Sequence, residues 1–576
     1  MRRIGLVLAV TVLGLATLAQ GSAIAATSGG RYDRPEPGFS EASTRLRTGT
    51  PERAGLDPTA IKDALAAVRG WTEPSGNTRP MFGGAVTLLG HDGKVVTRES
   101  TGWALRYADG AGTELPRDQW QAMRPDTIFD LASVSKLFTS IVVMRQIDAG
   151  RVELDAPVAR YVPEFAANGK ERVTVRQLLT HTSGLPAWLP LWSAYPDVPS
   201  RLNAALTAKP RTTPGSTYEY SDLNLIGLGV LVERVTGKRL DRLVADGITG
   251  PLKMRDTGYN PAASDKSRIA ATEYQASPPR GMVQGSVHDE NAWSLGGVAG
   301  HAGVFSTADD LAVLAQSMLN GGTYDGERIL SRRAVEQMIT NFNGAFPGDD
   351  HGLGFELDQR WYMAGLASPR SAGHTGYTGT SLVIDFPSRS FAILLTNRVH
   401  PSRNWGSNNP SRRAVAQGLA LAMAVRPRHG SEAWFSGTAD ASTATLDVPV
   451  TVPASGAGLS FDAFVDSEET DLLYLESSAD GGATFTKVPF EVHDRGRVTR
   501  TDGSYAASGD RRWVRVRAAL APGAQTLRWR YTTDPLYAGR GVYVDGVRVT
   551  AGDTVLLNGE KHPDAFTAKG WRPATR

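Results

Sequence analysis

At 576 residues, with 41% hydrophobic and 21% charged content, the chain has an ordinary globular composition and room for two or three domains. A net charge of +3 without any basic run excludes nucleic acid as the main partner. The absence of cysteine excludes disulfides, thiol nucleophiles and thiolate metal sites together, so stability has to come from large apolar cores.

Residues 1–25 read as an export signal. Arg2 and Arg3 precede the apolar run 4–18, and Ala23-Ile24-Ala25 is a small-x-small cleavage site. That run is too short to span a bilayer comfortably, and no later segment would. Ile4-Gly5-Leu6 fits a twin-arginine signal poorly, which favours the general secretory route. The expectation is a secreted protein or one held in the cell envelope, without a stable membrane span. Residues 26–50, polar and rich in Gly, Ser, Thr and Arg, are expected to form a flexible lead-in.

From 51 to 427 helix and strand patterns mix. A helix is expected over 60–68, then a β-hairpin whose strands, 84–90 and 95–97, flank the Asp92-Gly93 turn. Apolar helices follow at 137–147, 173–179, 223–235 and 308–319, the last behind Ser306-Thr307 as N-cap. Strands at 379–386 and 391–396 come last. Early strands, a helical middle and late strands predict one sheet completed by both ends of the domain, with an inserted helical lobe. After 427 the texture changes to short alternating strands, at 459–465, 471–477, 513–518, 527–531 and 541–549. These predict an all-β sandwich over 428–576.

Three short motifs carry chemistry. Ser133-Val134-Ser135-Lys136 sets a hydroxyl and an amine on one helix face, where the amine can take the serine proton if its pKa is lowered. Tyr220-Ser221-Asp222 opens the 223–235 helix. Tyr220 can relay a proton there, and Asp222 can accept a hydrogen bond from Lys136. His374-Thr375-Gly376 enters a strand whose small residues let a substrate approach. A backbone N–H near Tyr377 can complete an oxyanion hole with that of Ser133.

Taken in that order, the motifs resemble those of the penicillin-recognising serine hydrolases, in the branch of class C β-lactamases, DD-peptidases and family VIII carboxylesterases. Residues 178–185, 296–306 and 394–401 share the resemblance, which covers about 50–425. It implies a β-lactamase-like α/β (α+β) fold, an antiparallel sheet flanked by helices plus a helical lobe. It also implies an acyl-forming Ser133, Lys136 with Tyr220 as the base, and an oxyanion hole from the Ser133 and Tyr377 amides. His374 stands where β-lactamases carry a carboxylate-binding lysine.

Two departures matter. Asp222 replaces the usual asparagine, which should raise the Lys136 pKa and favour Tyr220 as proton carrier. His374 is mostly neutral at pH 7, which weakens the grip on a substrate carboxylate and favours esters, amides or D-amino-acid peptides. No Glu-x-x-Leu-Asn, H-E-x-x-H or G-x-S-x-G motif is present, and His181 and His301 read as structural. No cofactor or catalytic metal is expected.

Residues 430–576 resemble the jelly-roll modules of secreted bacterial enzymes such as immune-inhibitor-A-type metallopeptidases, on segments 460–464, 477–485, 528–534 and 543–547. Trp434, Trp513, Trp529 and Trp571 can stack on sugars but fit a sandwich core better. Asp462, Asp466, Glu469 and Asp471 can bind Ca²⁺ but fit a solvated loop better. The expected protein is a secreted serine hydrolase working through an acyl-enzyme, as carboxylesterase, D-amino-acid peptidase or DD-carboxypeptidase, or β-lactamase. Its substrate would be a small molecule or of peptidoglycan type, with cell-wall or carbohydrate contact through the sandwich. The alternative is a non-catalytic cell-wall or penicillin-binding protein on the same fold.

Overall fold

The computed structural model describes residues 30–76 and 78–576, so the expected export signal lies outside the described residues. Residues 30–50 are docked rather than flexible. Tyr32 is 1% exposed and donates to Asp466, Ser40 N donates to Leu319 O, and β1 (Arg47–Thr48) pairs in parallel with a sheet strand. The polar composition misled here because a few contacts, not an apolar face, fix the segment.

Helix α1 (Pro58–Gly70) starts where Asp57 accepts from Thr59 N and Pro58 occupies the first turn. The hairpin of β2 (Gly84–His91) and β3 (Lys94–Leu105) follows. Helices α2 (Ser135–Asp148), α3 (Val175–Leu179), α4 (Asp222–Thr236) and α5 (Ala308–Leu319) make up much of the middle. Then come β4 (Glu356–Leu357), the single turn α6 (Arg360–Met363), β5 (Ser371–Thr375), β6 (Ser381–Asp385), β7 (Ser390–Thr396) and α7 (Asn409–Ala422). The strand order is β1-β3-β2-β7-β6-β5-β4, antiparallel except at β1, so first and last strands meet in the centre as the sequence predicts.

The central strands β2, β6 and β7 are buried on both faces, which explains their nearly continuous apolar sequence. In β7, Phe391, Ile393 and Leu395 join the core with α2, α4 and α5, while Ala392 and Leu394 face α1 and α7. Helices α2 and α4 are buried nearly all round because lobe and sheet enclose them. Among the described residues no helix is long and apolar enough to cross a membrane.

The C-terminal part is a two-sheet β-sandwich. One sheet contains β8 (Ala433–Phe435), β10 (Ala457–Asp466), β12 (Trp513–Leu520) and β14 (Gly541–Ala551); the other contains β9 (Thr443–Val452), β11 (Leu472–Ser478) and β13 (Gly523–Thr532). Trp529 and Trp571 lie in its core, while Trp434 and Trp513 are half-buried. Asp462 and Asp466 are buried and paired, with Arg515 and Arg360 respectively, rather than solvated.

The sandwich does not hang on a linker. Phe435, Phe464 and Tyr543 pack into one apolar core with Tyr362, Leu366 and Leu419 of the first domain. A fully buried pair, Arg511 Nη1 to Asp385 Oδ2 at 2.6 Å, crosses the same boundary.

Candidate active site

Ser133 sits on a short 3-10 turn just before α2, and Ala132 adopts φ 47°, a left-handed conformation that costs an alanine energy. Surrounding bonds hold that turn. Asp130 accepts from Ala132 N (2.9 Å) and His288 N (2.6 Å), and Leu131 N donates to Val304 O (2.9 Å). Thr378 and Thr380 hydroxyls donate to the Asp130 and Leu131 carbonyls, tying the β5–β6 hairpin to the nucleophile turn. Gly376 is required here, because a Cβ would lie 2.3 Å from Leu131 O and 2.1 Å from Thr380 Oγ1.

Lys136, on the first turn of α2, is 1% exposed and donates to Ser133 Oγ (2.9 Å), His301 O (3.2 Å) and Asp222 Oδ1 (2.7 Å). The Tyr220 ring centroid is 4.8 Å from Lys136 Nζ, and its phenol is within reach of Ser133 and Lys136. Ser221 fixes Tyr220 by donating its hydroxyl to Pro186 O and its N–H to His181 Nδ1, while the His181 ring packs on Tyr220 at 4.6 Å. His181 is thus structural, as the sequence suggests. His301 also supplies a main-chain carbonyl to Lys136, which no motif announces.

The charges follow from this packing. Burial pulls Lys136 down, but the Asp222 carboxylate and Tyr220 outweigh it and hold the ammonium above the ordinary lysine range. Burial pushes Tyr220 up to about 12, against the opposing pull of Lys136. His374 is lowered to about 3, first by burial and then by Lys136. Its Nδ1 donates to Thr375 O (2.8 Å), so the buried, unpartnered Nε2 is left as an acceptor.

Ser133, Tyr220, His374, Gly376 and Tyr377 line one cavity of about 350 Å³. Lys136 and Asp222 stand behind it. The same cavity is lined by Arg398, Arg412, Glu356 and Trp361, which the sequence reading missed. Arg412 donates to Gly376 O (2.7 Å) and Thr380 O (3.1 Å), and neither arginine forms an ion pair among the described residues. Burial, then the like charge of Arg398, lowers Arg412 to about 10, which leaves it charged at neutral pH. His374 is thus neutral, as the sequence suggests, and the cavity carries the Glu356 carboxyl as well as the two arginines. Positive charge enters the cavity from two arginines whose sequence spacing carries no signal.

Among the described residues, two groups of side chains bring three potential metal ligands within 4.8 Å of one another: Asp222, Asp289 and His301 beside Lys136, and Glu468, Asp471 and Asp534 in the sandwich. In the first, His301 Nε2 already bonds Asp289 Oδ1 at 2.8 Å and the Lys136 ammonium occupies Asp222. The arrangement serves charge balance around a buried lysine.

The comparisons agree with this geometry. A candidate D-alanyl-D-alanine carboxypeptidase of Escherichia coli K12 is 33% identical over 362 residues, covering 56% of this chain and 80% of its own length. An N-acetylmuramyl-L-alanine amidase of Bacillus subtilis 168 is 32% identical over 351 residues, covering 55% and 78%. EstCE1, a hydrolase with promiscuous acyltransferase activity, shares the fold with a TM-score of 0.50 at 21% identity, over 63% of this chain and 99% of its own. The immune inhibitor A-like MAM domain model matches residues 406–574. With the beta-lactamase model matched over residues 73–417, more than half of its length, the chain belongs to the beta-lactamase family of serine hydrolases.

Proposed function

We propose that the chain is an exported serine hydrolase that opens an amide or ester bond in a carboxylate-bearing, peptidoglycan-type substrate through an acyl-enzyme on Ser133. The observation that carries this reading is the Ser133 hydroxyl at 2.9 Å from Lys136 Nζ, opening on a cavity that also presents Arg398 and Arg412. In this reading Lys136 and Tyr220 handle the serine proton, and the Ser133 and Tyr377 amides receive the oxyanion. His374 Nε2 accepts a hydrogen bond from the substrate amide, and the arginines attract its carboxylate. Asp222 fixes and charges Lys136. The names of the two relatives, a carboxypeptidase and an amidase of cell-wall peptides, support the substrate class.

Parallel assays on a D-Ala-D-Ala peptide, an N-acetylmuramyl-L-alanine amide, a chromogenic cephalosporin and a short-chain p-nitrophenyl ester test the reading. Turnover of at least one peptidoglycan-type amide is expected. A folded protein that binds cell wall but turns over none of the four would establish the non-catalytic alternative.

Arg412→Gln should raise KM for a carboxylate-bearing peptide roughly tenfold and leave an uncharged ester within about twofold, since only the former uses the positive charge. Equal losses on both substrates would mean that Arg412 serves only to brace the Gly376 and Thr380 carbonyls.

A further inference from the structure

Part of the cavity wall is built from two pieces of helix, and both are anchored in the C-terminal sandwich. Helix α6 is a single turn whose residues point to different places. Trp361 lines the cavity, Tyr362 and Met363 are fully buried under it, and Arg360 reaches across the domain boundary. Arg360 Nη2 donates to Asp466 Oδ1 at 3.0 Å and to Ser508 Oγ at 2.6 Å. Asp466, at the end of β10, is itself held on every side. It accepts from Tyr32 OH (2.8 Å), Arg540 N (2.9 Å) and Gly509 N (3.2 Å).

Helix α7 repeats the pattern. Its first turn brings Asn409 and Arg412 to the cavity, while further along Gln417 Nε2 donates to Gly539 O (3.0 Å) and Arg540 Nε donates to Ala420 O (3.1 Å). Gly539 has no room for a side chain, since a Cβ there would lie 2.6 Å from Arg360 Nη1 and 2.2 Å from Asp466 O. The sandwich backbone therefore touches both wall elements at one point.

A one-turn helix has little stability of its own and takes its position from what it is bonded to. We propose that the β-sandwich is a positioning element of the hydrolase site, with Asp466 acting through Arg360 to set Trp361 as a wall of the substrate cavity. This inference rests on the hydrolase reading above. It assigns Arg360 and Asp466 to substrate fit and not to the chemistry at Ser133, whose turn is held by its own bonds to β5–β6 and α2. The accessory domain then sets which acyl or leaving group the cavity accepts.

The test uses the full-length chain with p-nitrophenyl esters of increasing acyl length and a small fluorophosphonate that reads Ser133 directly. Arg360→Gln and Asp466→Asn should each raise KM for the longer esters about five- to tenfold, with kcat and the labelling rate of Ser133 within about twofold of wild type. Arg360→Lys, which keeps a charge for Asp466, should recover most of that loss. Trp361→Ala should raise KM by at least as much, and adding Arg360→Gln to it should cost nothing further, because both changes remove the same wall. Multiplicative effects in the double variant, or a lower melting temperature with unchanged KM in Arg360→Gln, would reduce the pair to a structural bond and overturn the proposal. A wild-type protein that neither labels nor turns over would remove the hydrolase reading itself, a result seen before any variant is made.

Discussion

Ser133→Ala is expected to abolish covalent labelling by a fluorophosphonate or a fluorescent penicillin and to cut turnover by up to about 10⁶-fold, leaving the roughly 10³- to 10⁴-fold acceleration over water that binding and an oxyanion hole supply without a nucleophile. The variant should fold. The Ser133 hydroxyl has Lys136 as its hydrogen-bond partner, and Lys136 keeps Asp222 and the His301 carbonyl when that hydroxyl is gone. Two nearby serines serve as contrasts. Ser135 Oγ accepts from Val304 N and Ser221 Oγ donates to Pro186 O, both fully buried, so alanine there should lower the melting temperature. Labelling that survives in Ser133→Ala at the wild-type rate would place the nucleophile elsewhere.

What the sequence could show is what depends on near neighbours. Ser133 and Lys136 share a helix face, and Tyr220-x-Asp222 opens a helix whose apolar run marks it. Gly376 is small because Leu131 O and Thr380 Oγ1 crowd it. Each of these leaves a local trace. Arg398 and Arg412 leave none, because one lies beyond the end of β7 and the other inside α7, and only the sheet order brings both against Gly376 and Tyr377. Trp361 is hidden in the same way on a four-residue helix too short for any periodicity. Asp289 and His301 stand twelve residues apart, at either end of a stretch that turns glycine-rich after Leu295. That stretch is glycine-rich for a packing reason, since a Cβ on Gly300 would lie 1.8 Å from Leu225 O on α4. The docking of Tyr32 and Arg511 across the domain boundary was illegible for the most general reason. A buried polar network is specified by partners far apart in sequence, and composition averages over it.

Asp222→Asn should make the enzyme active at lower pH. In the wild type neither proton carrier is in its basic form at neutral pH. Lys136 is held above the ordinary lysine range and Tyr220 is raised to about 12. Lys136 and Tyr220 act on one another directly, and removing one proton from that pair produces the form that can deprotonate Ser133. The wild-type kcat/KM should therefore climb with pH, about tenfold per unit, through the whole alkaline range in which the protein is folded. Asparagine keeps an oxygen at the Asp222 position for the Lys136 hydrogen bond but removes the negative charge that favours the ammonium. Burial, which disfavours the ammonium, then prevails, and the lysine pKa falls. The rising limb should move down by roughly one to two units, a gain of about ten- to a hundredfold in kcat/KM at pH 7 if Lys136 is the base. The pH profile of a p-nitrophenyl ester from pH 5 to 10, with the rate of fluorophosphonate labelling measured in parallel, decides the matter. A limb that stays in place while activity falls equally at every pH would mean that the Asp222 carboxylate itself receives the proton relayed by Lys136. A limb that moves down in Asp222→Asn but not in Asp222→Asn with Tyr220→Phe would give the proton transfer to the tyrosine.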